Sequence, residues 1–226
     1  MIAKTRGVSA VFARDQILLD VSKGHFLPGD KLMTVALAKR YQISRTPIRE
    51  ALIQLEREGV VESSVNAGYQ LKLFSLEEIC DIYEIRELLE GMAVEKLAKK
   101  GIAPEQLEKL HKSCLACQNA ETIEQRDAAD RDFHGMICDF VGSEILCSII
   151  HNYLVLSASF NVARHMHSVY SFSNGRDIHR EHSLIVDAIT AGNAKLARNL
   201  VIKHISQARK RLSKFSDTLK KRKRQI

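Results

Sequence analysis

The chain has 226 residues, 45% hydrophobic and 27% charged, with only 3 Pro and 11 Gly; it can hold one large domain or two small ones, and its composition excludes disordered and fibrous chains. No apolar run reaches the roughly 18 residues of a membrane-spanning helix, residues 1–20 lack the basic-then-apolar layout of a signal peptide, and an odd count of 5 Cys suits a reducing compartment, so a soluble cytoplasmic protein with no membrane partner is expected. The formal charge of +7 is unevenly spread, with +4 on residues 1–74, −3 on residues 75–210 and +6 on residues 211–226, so contact with a phosphate backbone belongs at the two ends.

The first helix is expected from Val8 to Lys23, with Val11, Ile17, Leu18 and Val21 in the core and Gly24 as its stop. Leu27-Pro28-Gly29-Asp30 reads as a turn. A short helix around Val35 to Tyr41 and a second one reaching Glu58 follow, separated by Gln42-Ile43-Ser44. Pro47 suits the first position of that second helix, with Thr46 as its N-cap. Ile48, Leu52 and Leu55 fall at i, i+4 and i+7, which buries one side and turns Arg49, Ile53 and Glu56 outward. Val60 to Glu62 and Tyr69 to Leu73 are rich in β-formers, and Asn66 and Gly68 between them suit a turn, so the helix pair is followed by a hairpin wing.

Ser75 with Glu78 three residues on is a capping box, opening a helix that runs to Lys100. Further helices are expected over Pro104 to Asn119, Glu121 to Val141, Ser143 to His165, Asn174 to Ala191 and Asn193 to Leu219, broken at Gly101, Gly142 and Gly192. The fold class is therefore mainly α. A winged helix-turn-helix occupies residues 1–74, and an antiparallel bundle of about six helices occupies residues 75–226, ending in the basic run Lys220-Lys221-Arg222-Lys223-Arg224.

A helix that starts between Arg45 and Arg49 offers free backbone N–H groups and two guanidinium groups, which together suit phosphates and base edges. The competing reading is a surface helix with incidental arginines. Leu37-Ala38 through Ile43-Ser44-Arg45-Thr46-Pro47-Ile48-Arg49-Glu50-Ala51-Leu52 to Leu55-Glu56-Arg57-Glu58-Gly59-Val60-Val61 resembles the winged helix-turn-helix of GntR-type transcriptional regulators, over about 65 residues. The resemblance implies a homodimer on a palindromic double-stranded operator, with Arg45 and Arg49 on bases or phosphates. It further implies that Ser44 and Thr46 hold the DNA backbone and that Gly68, at the wing tip, approaches the minor groove. One departure stands out: the family commonly has a polar or charged residue at the start of the preceding helix, where this chain has Met33-Thr34-Val35.

Eight of the nine histidines lie at or beyond residue 111. Asp130 and His134 share a stripe with Ile137 and Val141. His182 lies with Ile178, Ile185 and Ile189, and His204 with Ala197, Leu200 and Ala208. Each buried polar group costs roughly 1 to 3 kcal/mol unless paired, so either each is satisfied separately in the core or they converge on one cation. Three imidazoles and a carboxylate suit Zn²⁺, with Ni²⁺ or Mn²⁺ as alternatives, over Mg²⁺ or Ca²⁺. Asp130-x-x-Phe133-His134, Glu181-His182-x-x-Ile185-x-x-Ala188-Ile189, Gly192-Asn193-x-x-x-Ala197 and His204 resemble the helical FCD-type ligand-binding domain of the FadR branch of GntR regulators. The resemblance implies that Asp130, His134, His182 and His204 are metal ligands, and that the domain responds to a small organic acid.

Ile79, Ile82, Arg86, Leu89 and Ala93 form one stripe, aiming an arginine at the interior. Its partner is either an internal Asp or Glu or the carboxylate of a ligand; the resemblance favours the ligand, making Arg86 the effector-binding candidate. Arg164 is a weaker one. Cys114-x-x-Cys117 has no second pair at zinc-knuckle distance and reads as packing. Two further classes compete with a DNA-binding regulator. A metal-dependent enzyme built on the His/Asp set lacks an H-E-x-x-H helix to bring a general base, and a helical scaffold for RNA or protein leaves Arg45 and Arg49 without a role.

Overall fold

Helix α1 (Ile2–Ser22) buries Ala13, Ile17 and Val21, one turn apart on a single line, against α3 (Arg45–Arg57). At 100° per residue Val11 sits about 120° round from Ile17 and Leu18 about 100°, off the buried stripe. Val11 is accordingly 54% exposed and Leu18 only half-buried, so the expected core of this helix is corrected: the small Ala13 takes the place assigned to Val11. The computed structural model describes residues 2–64, 68–167 and 175–223, with side chains for 9–63, 68–158 and 175–211. The expected turn residue Asn66, and the side chains of Arg164 and of the basic run at 220–224, lie outside the described residues. The chain divides into two units, residues 1–74 with 158–167, and residues 75–157 with 168–226.

In the first unit, α2 (Thr34–Tyr41) and α3 form the helix pair, and a three-stranded antiparallel sheet follows in the order β1-β3-β2. β2 (Val61–Ser64) pairs with β3 (Gly68–Leu71) in the register Val61 to Leu71 and Ser64 to Gly68. β1 (Lys31–Leu32) was not anticipated. At two residues it is too short to show alternation, and it forms because the turn at Gly29, with φ +90°, returns the chain to β3, where Gly29 N–H donates to Leu71 O and Leu71 N–H to Asp30 O. The start of α3 also differs from expectation. Ser44 is the N-cap and Arg45 the first helical residue, placing Pro47 third, still inside the first turn, where a missing N–H breaks no helical bond.

Asp20, 8% exposed, fastens α1 to α2 and the turn beyond α1. It accepts hydrogen bonds from Arg40 Nε at 2.6 Å and Tyr41 OH at 2.7 Å, and lies 2.9 Å from His25 Nδ1. Burial alone would raise its pKa; the Arg40, His25 and Tyr41 contacts outweigh that and hold it down to about 2.

The second unit is a helical bundle: α4 (Leu76–Lys100), α5 (Pro104–Asn119), α6 (Ile123–Val141), α7 (Glu144–His167) as far as Ser157, α8 (Gly175–Thr190) and α9 (Ala194–Lys223). Two reciprocal caps start helices here: Ser75 with Glu78 before α4, as expected, and Thr122 with Gln125 before α6. α4 packs along α9 and α6, α5 against α6 and α8, and α8 on α9. Gly91 permits the α4–α9 approach, since a Cβ there would meet Ile202 Cδ1 at 3.1 Å.

Asp20→Asn is expected to lower stability by about 2 kcal/mol at neutral pH. A carboxylate whose folded pKa is depressed stabilises above its unfolded pKa, near 3.9, and loses that contribution as pH falls toward 2. The difference in thermal midpoint between variant and wild type should therefore close between about pH 4 and pH 2; a gap independent of pH would assign the effect to shape rather than charge.

Candidate functional site

Packing in the first unit decides what is left outside. Ile48, Ala51, Leu52 and Leu55 hold α3 with no exposed surface, which turns Ser44, Arg45, Thr46 and Arg49 to solvent. The tight connection from α2 is made by Gln42 in the left-handed region at φ 56°, and by Ile43 N–H donating to Ala38 O. A groove of about 640 Å³ runs between the start of α2, the first turn of α3 and the wing. Thr34, Arg45, Thr46, Arg49, Gly68 and Tyr69 line it. Four of the five expected DNA contacts thus share one concavity; the fifth, Ser44, is the exposed N-cap of α3 and does not line it. Neither Arg45 nor Arg49 has an ion-pair partner among the described residues, and the Ser44 side chain does not cap the helix. Two unpaired guanidinium groups one turn apart, beside uncapped N–H groups, make a surface built for polyanion oxygens and base edges.

In the second unit, three helices carry four side chains to one point. Asp130 and His134 come from α6, His182 from α8 and His204 from α9, and one ligand atom from each lies within 4.8 Å of the others. Asp130 Oδ1 stands 3.2 Å from His182 Nε2, 3.5 Å from His204 Nε2 and 3.9 Å from His134 Nε2. All three imidazoles therefore present Nε2 inward. Their rings are at most 5% exposed, whereas the Asp130 side chain is 30% exposed, so the cluster opens to solvent on the carboxylate side.

Each outward ring nitrogen has a neighbour as well, with a hydrogen bond at His204 and an ion-pair contact without hydrogen-bond geometry at His134. Glu181 Oε2 lies 2.7 Å from His204 Nδ1, Glu90 Oε2 lies 2.5 Å from His134 Nδ1, and Cys117 Sγ lies 3.9 Å from His182 Nδ1. Phe133 stacks on His182 at 3.8 Å between centroids. A carboxylate beside Nδ1 orients the ring with Nε2 inward, the usual support of a metal-bound histidine. Burial by itself would lower the His204 pKa, but Asp130 and Glu181 outweigh it and push it up to about 9. Burial and the neighbouring His204 press His182 down to about 3. Asp130, opposed by burial, is held well below the usual carboxylate range by His182 and His204.

The residues present fit a divalent metal. On the inner side, His134 Nε2 and His182 Nε2 are buried without a hydrogen-bond partner among the described residues, as are His134 Nδ1 and Glu90 Oε2 behind them, and buried polar atoms of that kind are uncommon unless something else satisfies them. The donor set, three imidazole nitrogens and one carboxylate, is that of Zn²⁺ or another late first-row metal. Glu90 and Glu181 are engaged on the outer nitrogens, where they orient the rings rather than wait as a free general base.

Arg86 is 6% exposed, as its stripe implies, and finds its partner inside the protein. Its Nε donates to Glu90 Oε1 at 2.6 Å and its Nη1 to Ser157 Oγ at 3.1 Å, with the Tyr83 ring 5.1 Å away. Of the two partners open from the sequence, the internal carboxylate is the one the fold supplies. Glu90 fits the buried stripe better than Leu89, since it stands one turn from Arg86; its i, i+4 spacing was the available signal. Opposed by burial, the Arg86 and His134 contacts hold Glu90 down to about 2. Cys114 and Cys117 are buried free thiols, and burial pushes Cys114 up to about 12.

Residues 10–70 match the family described as bacterial regulatory proteins, gntR family, and residues 81–207 match the FCD domain. The HTH-type transcriptional regulator LutR of Bacillus subtilis (strain 168) is 29% identical over 215 residues, covering 86% of this chain and 97% of LutR. The HTH-type transcriptional repressor GlaR of Escherichia coli (strain K12) is 28% identical over 192 residues, covering 82% and 87%. Among solved structures, E. coli McbR/YncC aligns with a TM-score of 0.78 at 22% identity, covering 92% of this chain and 98% of that one, which speaks to the fold. Among the described residues, no helix is long and apolar enough to cross a membrane.

Removing Arg86 alone would strand Glu90 as a buried charge. Arg86→Met is expected to lower stability by about 3 to 5 kcal/mol, and Arg86→Met with Glu90→Gln by distinctly less. Equal losses in a denaturant titration of the two proteins would mean that the pair is not coupled.

Proposed function

The chain belongs to the gntR family of bacterial regulatory proteins, with an FCD domain as its second part, and on that premise we propose that a small organic acid, held with a divalent metal in the second unit, sets how tightly the first unit grips its operator. The chain is a DNA-binding transcriptional regulator, as are the relatives it matches along most of its length. The observation that carries the effector reading is the cluster at Asp130: four ligand atoms converge, two imidazole nitrogens lack any other partner, and one side is open.

Asp130, His134, His182 and His204 would hold the metal, Zn²⁺ by donor type with Ni²⁺ or Mn²⁺ as alternatives. A bound divalent ion supplies a Lewis-acidic position that accepts the carboxylate oxygen of a ligand. Glu90 and Glu181 keep the His134 and His204 rings facing inward, and Arg86 holds Glu90. Arg86 thus acts on the effector site through Glu90 and His134, as a positioning residue.

In the first unit, Arg45 and Arg49 read bases or phosphates, Ser44 and Thr46 hold the backbone, and Gly68 follows the minor groove. A homodimer places two such faces on the halves of a palindrome, which must lie about one helical turn or a multiple apart. Effector binding shifts the population between arrangements that do and do not match that spacing. A coupling of about 1 to 3 kcal/mol changes occupancy roughly 5- to 150-fold, enough for control.

Footprinting of the purified protein on DNA upstream of its own gene, repeated with a panel of small carboxylic acids, tests the reading. A protected palindrome whose protection changes with one acid is expected; no protected palindrome there or in genomic DNA would remove it. Arg49→Ala should weaken operator binding by about 1 to 3 kcal/mol without changing the circular dichroism spectrum, since the side chain is exposed. Asp130→Ala with His134→Ala should purify without metal, melt at a lower temperature and lose the acid response. Elemental analysis showing full metal occupancy in that double variant would place the ion elsewhere.

A further inference from the structure

Two side chains in the DNA-facing groove are not suited to phosphate. Met33, the N-cap of α2, and Val35, two residues on in its first turn, line the same groove as Arg45 and Arg49. Each is 53% exposed. The core of this unit is closed by Leu32 and Leu37 on either side of them, at 1% and 2% exposure, so Met33 and Val35 are left over from packing. The groove therefore has a cationic part on α3 and a hydrocarbon part at the start of α2.

From this juxtaposition we propose that Val35, with Met33 beside it, reads the C5-methyl group of thymine in the operator. The inference rests on the DNA-binding role of this face. In the major groove the thymine methyl is the one apolar feature that a base edge presents; guanine offers two acceptors, cytosine a donor, and adenine one of each. Hydrocarbon against any of those polar edges strips water from a hydrogen-bonding group and returns nothing. Against a methyl group it buries two apolar surfaces at once. Val35 is stiff at χ1 and presents a fixed pair of methyl groups, while Met33 has the flexibility to close over the contact. Arg45 and Arg49 favour guanine O6 and N7, so the half-site contains a guanine read from α3 and, apart from it, a thymine read from α2. Polar or charged side chains at the start of α2 would select a different base there.

Deoxyuridine differs from thymidine only in lacking the methyl group, and it pairs identically. Each thymine of the footprinted operator is replaced in turn by deoxyuridine, and binding is measured for wild type, Val35→Ala and Met33→Ala. Wild type is expected to lose about fourfold per half-site at one thymine position, the loss of one buried methyl converted to affinity. Val35→Ala on the thymine operator should bind as weakly as wild type on the deoxyuridine operator, and the two changes together should cost no more than either alone. Met33→Ala should reduce the thymine preference at the same position by a smaller factor. Tolerance of deoxyuridine by wild type at every position, or additive losses with Val35→Ala, would overturn the proposal. So would a change in sedimentation of Val35→Ala with its thymine preference intact, which would assign the patch to self-association. Failure to bind any operator would instead count against the DNA-binding role itself.

Discussion

A carboxylate enclosed by three imidazoles is the constraint around which the second unit is arranged. Asp130 and the three histidines come from α6, α8 and α9, and each ring is braced from behind by another residue: Glu90 on α4, Glu181 on α8 and Cys117 on α5. α7 joins through Ser157, which accepts from Arg86. Every helix of the bundle thus places at least one polar group in or behind the cluster. Removing one member leaves polar neighbours buried and unpaired, so the network holds the bundle in a single arrangement in addition to gathering the ligand atoms. Among the four ligand side chains only Asp130 is substantially exposed, so stability and ligand access meet at that residue.

The first unit follows the opposite logic. Its one buried charge among the described residues, Asp20, is engaged by Arg40, Tyr41 and His25 and serves to lock α1 to α2. The residues with functional chemistry point outward because Ile48, Leu52 and Leu55 leave them nowhere else to go. A packed stripe on one side of a short helix is what aims the guanidinium groups on the other.

Much of this could be seen in the sequence, and the misses have physical causes. The limits of α5, the reciprocal cap at Ser75 and the histidine stripes follow from helical periodicity and turn chemistry, which are local. Glu181 sits 100° from His182 on α8, off the cluster by its own helix alone, yet α9 brings His204 to that side. Direction on one helix does not say what the next helix contributes. On the α4 stripe the apolar Leu89 gives the stronger hydrophobic signal, although Glu90 has the better spacing to Arg86 and is the residue buried. Ala13 was overlooked in α1 for a similar reason: a small side chain signals little hydrophobicity but fills a close contact with α3.

Pro47 at the third position of α3 has an effect on solvation. A helix ordinarily begins with several amides whose hydrogens must be satisfied by water until something replaces it. Here the imino ring removes one of them, and the Ser44 side chain takes none. The Arg45 and Thr46 amides are left with neither an intrahelical acceptor nor a side-chain cap, so water satisfies them. An incoming phosphate oxygen exchanges with that water and takes over hydrogen bonds that the Ser44 side chain does not contest, so this helix start keeps its donors for a ligand.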